Sequence, residues 1–202
     1  MTTIYLIRHS ESLKSNNKDI NEEIPLRDRG EELARKISNL NELKNIDFIY
    51  SSEYKRSIST AKYIAFNNDL PINITSKLNE RKLGDINSVP TTFWLTQLED
   101  EDAKANEGES RKEVCERMLE LIKVLLNDNK NKKIVLVTHA TAITFLLMYW
   151  CKLVSADLET KARHLTFNNK DVINDSFRSP EVFKLEFDEN NNLMDIILIR
   201  GY

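Results

Sequence analysis

Ile4-Tyr5-Leu6-Ile7 runs without a break into Arg8-His9-Ser10-Glu11-Ser12, and the reading of this stretch decides the fold. An unbroken apolar run suits a central strand of a parallel sheet covered on both faces, whereas a half-exposed strand alternates polar with apolar. The same arrangement returns twice. Phe48-Ile49-Tyr50 leads into Ser51-Ser52 and then a helical pattern carrying Arg56. Ile134-Val135-Leu136-Val137 leads into Thr138-His139-Ala140 and then an apolar helix over Ala142–Cys151.

The segments between these runs have helical spacing. Leu33, Ile37 and Leu40 form one face of a helix over Arg29–Leu43, with Asp28 and Glu31 as a capping box at its start. Tyr54, Ile58, Ala61 and Ala65 mark a second helix, whose cap is Ser52. Val114, Met118, Leu121, Ile122 and Leu125 mark a third over Glu109–Leu126. Near the C-terminus, Val182–Phe187 and part of Asn192–Arg200 alternate, which predicts a β-hairpin turning at Asp188–Asn192. Strand and helix in alternation predict an α/β fold, a three-layer α/β/α sandwich with a mostly parallel central sheet. Residues 1–202 read as one domain, in which 86–108, polar and acidic around Phe93-Trp94-Leu95, reads as a lid or insertion.

Composition narrows the partners. Lys and Arg total 29 against 32 Asp and Glu, a net charge of −3, which disfavours nucleic-acid or anionic-membrane binding driven by overall charge. The apolar run Ala142–Cys151 is well short of the ~20 residues that a membrane span needs. No signal-peptide pattern opens the chain, and Cys115 and Cys151 have neither disulfide-framework nor metal-type spacing. A cytoplasmic protein with no metal is the expectation; zinc would also require a third ligand beside the two histidines at strand ends.

Ligands of open α/β sheets bind beyond the carboxyl ends of the strands. Arg8 and His9 follow the first run, Arg56 the second and His139 the third, so parallel strands would gather all four on one rim. Arg56 falls in or beside the first turn of its helix, where the helix dipole disfavours a cation and a bound anion would offset that penalty. The remaining histidine, His164, sits in a polar region and reads as structural or exposed.

These residues resemble the histidine phosphatase superfamily over nearly the whole chain. Arg8-His9-Ser10-Glu11-Ser12 is similar to the family's Arg-His-Gly-Glu-Thr/Ser signature, and Pro25-Leu26 through Gly30 and Ala34 to its Leu-Thr-x-x-Gly-x-x-Gln-Ala element. Ser51-Ser52 through Arg56-Ser57 to Thr60-Ala61, Leu78-Asn79-Glu80-Arg81 to Gly84, Glu107-Gly108-Glu109-Ser110 and Val137-Thr138-His139 follow in the family's order. The resemblance implies a phosphoglycerate mutase-like fold and a phosphomonoester hydrolase working on a small phosphorylated metabolite without metal or organic cofactor. It assigns His9 as nucleophile, Glu80 as general acid and base, and Arg8, Arg56 and His139 as the groups around the phosphate, with Ser10, Ser12 and Ala140 also at the substrate. Ser10 and Ala140 stand where the family has glycine, so their side chains would narrow or shift the pocket.

Two rival readings accompany this one. A phosphoglycerate mutase would carry basic residues in the segment after the Glu80 motif. Here 86–108 offers Lys104 against Glu99, Asp100, Glu101, Asp102 and Glu107, and Leu13-Lys14-Ser15-Asn16 replaces the mutase's Trp-Asn-containing sequence. The acidic segment also disfavours large polyanions. From another class, Ser10 and Ala140 would suit a catalytically weak phosphate-binding or protein-interaction module.

Overall fold

A computed structural model describes residues 1–14 and 21–202, so Ser15 and Asn16 of the mutase comparison lie outside the described residues. The chain builds a six-stranded sheet from β1 (Thr2–Arg8), β2 (Phe48–Ser51), β3 (Ile72–Ile74), β4 (Lys133–Thr138), β8 (Glu181–Phe187) and β9 (Leu193–Ile199). Their order is β3-β2-β4-β1-β8-β9; the first four run parallel, and β8 pairs antiparallel with both β1 and β9. The helices are α1 (Asp28–Ile37), α2 (Lys55–Asn68), α3 (Phe93–Glu99), α4 (Arg111–Asp128) and α5 (Ala140–Leu147).

The apolar runs of β1 and β4 are divided between two cores. Tyr5, Ile7, Val135 and Val137 pack with Ile37 of α1 and Ala61, Ile64 and Ala65 of α2. Ile4, Leu6, Ile134 and Leu136 pack with Val114, Met118 and Ile122 of α4 and Ile143, Phe145 and Leu146 of α5. Successive side chains of a strand point to opposite faces, so a run apolar at every position fills both layers at once. The predicted C-terminal hairpin is β8–β9, closed at Asp188, whose carboxylate accepts from the Asn190 and Asn192 amides.

Three local expectations are corrected. The first helix starts at Asp28 with Arg27 as a cap lacking a side-chain bond, so the Asp28–Glu31 box does not form. Glu31 instead accepts the Tyr63 hydroxyl at 2.6 Å and pairs with Lys62 at 3.0 Å. That helix also ends at Ile37, because Ser38 Oγ and Asn39 Nδ2 both donate to the Arg35 carbonyl, and only a 3-10 turn at Asn41–Leu43 follows. The second helix is capped by Tyr54, not Ser52, whose hydroxyl is used elsewhere. A real capping box opens α4, where Ser110 Oγ accepts from the Glu113 amide and Glu113 accepts from the Ser110 amide.

A second, three-stranded sheet of β5 (Lys152–Ala156), β6 (Arg163–Phe167) and β7 (Lys170–Asp175) was not anticipated. Both of its pairings are broken by register shifts, which blur the two-residue period. Its one clear sequence signal is Asn168-Asn169, both at positive φ (50° and 62°), the conformation of a two-residue hairpin turn. Within 86–108 the chain forms a 3-10 turn at Ile86–Ser88 and helix α3, which buries Phe93, Gln97 and Leu98.

Gly30 lies against the 9–12 loop so closely that a Cβ there would stand 1.9 Å from the Glu11 carbonyl oxygen. Gly30→Ala is therefore expected to destabilise the fold by about 1–3 kcal/mol despite alanine's better helix propensity. Urea unfolding should show a lower midpoint; an unchanged or raised midpoint would contradict the contact.

Candidate active site

Register brings the sequence motifs to one level. Arg8 is the β-partner of Thr138, and Ser51 of Val137, so His9, His139 and Ser52 each stand one residue beyond aligned strand ends. The His9 amide donates to the Thr138 carbonyl at 2.9 Å and the Ser52 amide to that of Val137 at 3.0 Å, extending the sheet into the loops.

Arg56, the second residue of α2, joins the two imidazoles. Its Nε donates to His9 Nε2 at 3.2 Å, its Nη2 faces His139 Nδ1 at 3.4 Å, and its Nη1 donates to the Asn21 carbonyl at 2.7 Å. A guanidinium has no acceptor, so both imidazole nitrogens facing it present lone pairs. The protons then sit on the opposite nitrogens: His9 Nδ1 donates to the Ser10 carbonyl at 2.7 Å, and His139 Nε2 donates to Ser52 Oγ at 2.8 Å, with Ser57 Oγ at 3.3 Å. The rings meet edge to face at a centroid distance of 5.0 Å. Burial, then Arg56 and Arg8, pushes the His9 imidazole down to about 3; burial, then His9 and Arg56, holds His139 well below the usual histidine value. Both rings are neutral at neutral pH.

Arg8 Nη1 donates to the carbonyls of Phe177 (2.7 Å) and Arg178 (3.1 Å), while its buried Nε has no hydrogen-bond partner among the described residues. Ser179 Oγ donates to the His9 carbonyl, so the 177–179 segment holds both members of the Arg8-His9 pair. That segment is fixed in turn by Glu181, fully buried, which accepts from the Arg178 amide and from Arg200. Glu80 reaches the start of α5: its carboxylate accepts from the amides of Arg81 (2.9 Å), Ala142 (2.9 Å) and Thr141 (3.2 Å).

Of the residues singled out in the sequence, Arg8, His9, Arg56, Glu80 and His139 gather at this rim, and Ala140 lines the adjoining cavity. Ser12 pairs its backbone with Leu26, at the edge of the group. Ser10 is a correction. Its hydroxyl donates to the Gly30 carbonyl at 2.7 Å and its amide to Thr60 Oγ1 at 2.9 Å, so it ties the loop to α1 and α2 and offers nothing to a substrate. The side chain replacing glycine is thereby turned out of the pocket. His164 pairs with Asp171 at 2.6 Å, a structural role as expected. Among the described residues no three of His, Cys, Asp or Glu gather as metal ligands.

Three cations escaped the sequence reading. Arg81, Lys161 and Arg163 line, with Arg8, Trp94 and Thr141, a cavity of about 470 Å³. Lys161 and Arg163 lie over the Trp94 ring, at 5.0 and 5.4 Å from its centroid, and Arg163 lies 4.1 Å from that of Phe177. The acids of 86–108, read as disfavouring large polyanions, do not line this cavity: Glu99, Asp100, Glu101, Asp102 and Glu107 are exposed, and the segment gives the cavity its Trp94.

Residues 4–170 match the Histidine phosphatase superfamily (branch 1). The chain belongs to this family. A probable phosphoglycerate mutase, GpmB, of Cronobacter sakazakii is 27% identical over 158 residues, 73% of this chain and 74% of that protein. Among solved structures, a mycobacterial glucosyl-3-phosphoglycerate phosphatase complexed with VO3 superposes with a TM-score of 0.71 at 18% identity, covering 98% of each chain. Bacillus stearothermophilus YhfR gives 0.71 at 19% identity, covering 96% of this chain and 95% of that one. These structural likenesses show the α/β fold with its mostly parallel central sheet.

Neutral, buried imidazoles make stability pH-dependent in this histidine phosphatase-family chain. Between about 3 and 6.5 an unfolded His9 holds a proton that the folded one refuses, so stability is complete above the upper value and falls with acid. His9→Asn should flatten the rise of unfolding free energy with pH across this window by on the order of 1 kcal/mol per pH unit. Denaturant titrations at several pH values check it; parallel curves for the two proteins would refute a neutral His9.

Proposed function

We propose that the protein is a phosphomonoester hydrolase that passes phosphate through His9 to water, acting on a small phosphorylated metabolite in the cytoplasm. The observation that carries this reading is the His9 hydrogen-bond pattern. With Nδ1 donating to the Ser10 carbonyl, the Nε2 lone pair faces the one guanidinium that also meets His139. An imidazole held neutral by burial is a competent nucleophile at neutral pH.

In the first half-reaction Nε2 attacks phosphorus in line as the bond to the ester oxygen breaks. Arg56 exchanges its contact with His9 for a phosphoryl oxygen, Arg8 takes another, and His139, taking up a proton on Nδ1 as the phosphate anion enters, donates to a third, which spreads the charge of the transferring group over these donors. Glu80 delivers a proton to the departing oxygen. Its Oε2, held by the longer 3.2 Å contact to the Thr141 amide, is the atom with room to carry it. In the second half-reaction Glu80 takes a proton from water, whose oxygen attacks the phosphohistidine, releasing phosphate and restoring His9.

The turn of the Ser10 hydroxyl away from the pocket, to Gly30, supports hydrolysis over an inactive binding module, since this departure from the family pattern does not obstruct the pocket. Mutase activity is the second reading, favoured by the Cronobacter relative's name and by the cationic cavity. A coupled assay with 3-phosphoglycerate and catalytic 2,3-bisphosphoglycerate separates the two. Free Cys115 and Cys151 and the lack, among the described residues, of a helix long and apolar enough to cross a membrane are consistent with the cytoplasmic placement.

Incubation with a labelled phosphomonoester should yield acid-labile, base-stable protein phosphate, and His9→Ala should abolish both label and turnover. Retention of either by the variant removes the mechanism. Glu80→Gln should slow alkyl phosphates by about a hundredfold or more, the usual scale of general acid catalysis, and p-nitrophenyl phosphate much less. Equal losses on both substrates would rule out protonation of the leaving group by Glu80.

A further inference from the structure

The reacting phosphate is served by His9, Arg8, Arg56 and His139, which leaves Arg81, Lys161 and Arg163 without a task. They come from three places in the chain: the end of the Glu80 loop, the turn before β6, and the first position of β6. They converge on a cavity whose lining contains no carboxylate. None of these three, nor Arg8, has a carboxylate within salt-bridge distance among the described residues. Arg163 is only 5% exposed, and its hydrogen bonds go to neutral acceptors, Thr144 Oγ1 at 2.7 Å and the Lys161 carbonyl. Arg81 donates Nη1 to Gln97 Oε1, while its buried Nε, like that of Arg8, has no partner among the described residues.

A guanidinium kept buried with no carboxylate in salt-bridge distance is expensive, and burial with Arg8 nearby outweighs the pull of Glu80 and Glu181 and lowers Arg163 to about 10. An anion in the cavity would offset that cost. One phosphate does not use the space, since about 470 Å³ falls in the range that holds a whole metabolite. Position decides which part of the substrate enters. Thr141, on the cavity wall, donates its amide to Glu80, the group placed at the departing oxygen under the hydrolase reading. The leaving group therefore extends from Glu80 into the cationic cavity.

Resting on that reading, we infer that Arg81, Lys161 and Arg163 form a second anion subsite, so the substrates are phosphomonoesters whose alcohol portion carries a carboxylate. The planar guanidinium of Arg163 suits a bidentate carboxylate, and Lys161 adds a charge at the mouth. Trp94 and Phe177 fix the Arg163 plane by stacking.

The test compares two pairs of esters that differ by one carboxylate: 3-phosphoglycerate with glycerol 3-phosphate, and phosphoserine with phosphoethanolamine. Wild-type kcat/KM should favour the carboxylated member of at least one pair by about tenfold or more. Arg163→Gln and Lys161→Gln should each reduce that ratio, chiefly through KM. Lys161 is exposed, so its variant keeps the test valid should loss of Arg163 impair folding. Ratios near one for both pairs, or a ratio unchanged in both variants, overturn the subsite. Failure to hydrolyse even p-nitrophenyl phosphate would instead overturn the hydrolase reading. The subsite is then judged by thermal stabilisation of His9→Ala protein, where a greater shift with either carboxylated ester supports it and equal shifts within both pairs refute it.

Discussion

One guanidinium, that of Arg56, sets the chemistry at this rim. Because it can only donate, the two imidazole nitrogens it meets, His9 Nε2 and His139 Nδ1, are both left as lone pairs. The backbone carbonyl of Ser10 and the hydroxyl of Ser52 then receive the protons on the far sides of the rings. Three buried groups that would repel one another if all were charged coexist because one carries charge and two do not. Burial supplies the largest part of that bias, and the neighbouring arginines, preceded for His139 by His9, add to it.

This arrangement needs the histidines at one height and the arginine between them, and the sheet provides both. Parallel pairing of β1 with β4 sets Arg8 opposite Thr138, so the next residue of each strand is a histidine at the same level. Pairing of β2 with β4 brings the Ser51-Ser52 turn beside them and starts α2 so that its second residue is Arg56. The absence of an acid in the first turn of α2 leaves that helix end open to an anion. Support comes from behind: Ser10 is tied to Gly30 and Thr60, and the 177–179 segment is held through Glu181 and Arg200. A slip of one residue in β1 would send His9 to the other face, so the two cores on either side of the sheet also protect the geometry of the site.

Much of this was legible in the chain. Apolar runs at every position announce doubly covered strands, and a charged or imidazole residue just past such a run announces a rim. The helical cores of α2 and α4 follow from the spacing of Ala61, Ala65, Val114 and Met118. Legibility failed where side chains choose among local partners. Ser52 could cap a helix or meet an imidazole, and it meets His139; Asp28 could cap α1, and it is instead its first residue. The sheet of β5, β6 and β7 stayed hidden because its pairings shift register, and Arg163 was hidden with it.

The sequence by itself determined the strands and helices of the main sheet's layers, though not every end of them, because hydrophobic period and turn chemistry are properties of neighbours along the chain. It placed Arg8, His9, Arg56 and His139 just past strand ends, and the parallel pairing of those strands puts them on one edge. Only the tertiary structure decided the tautomers of the two imidazoles, the outward turn of the Ser10 hydroxyl and the sign of charge in the cavity. Each of these depends on groups distant in sequence and close in space: Arg56 with His139, Ser10 with Gly30, and Arg81 with Arg163. The acidic stretch at 99–107 shows why local composition misleads here. A pocket's potential comes from the side chains that face it, and those acids face solvent while cations from elsewhere turn inward.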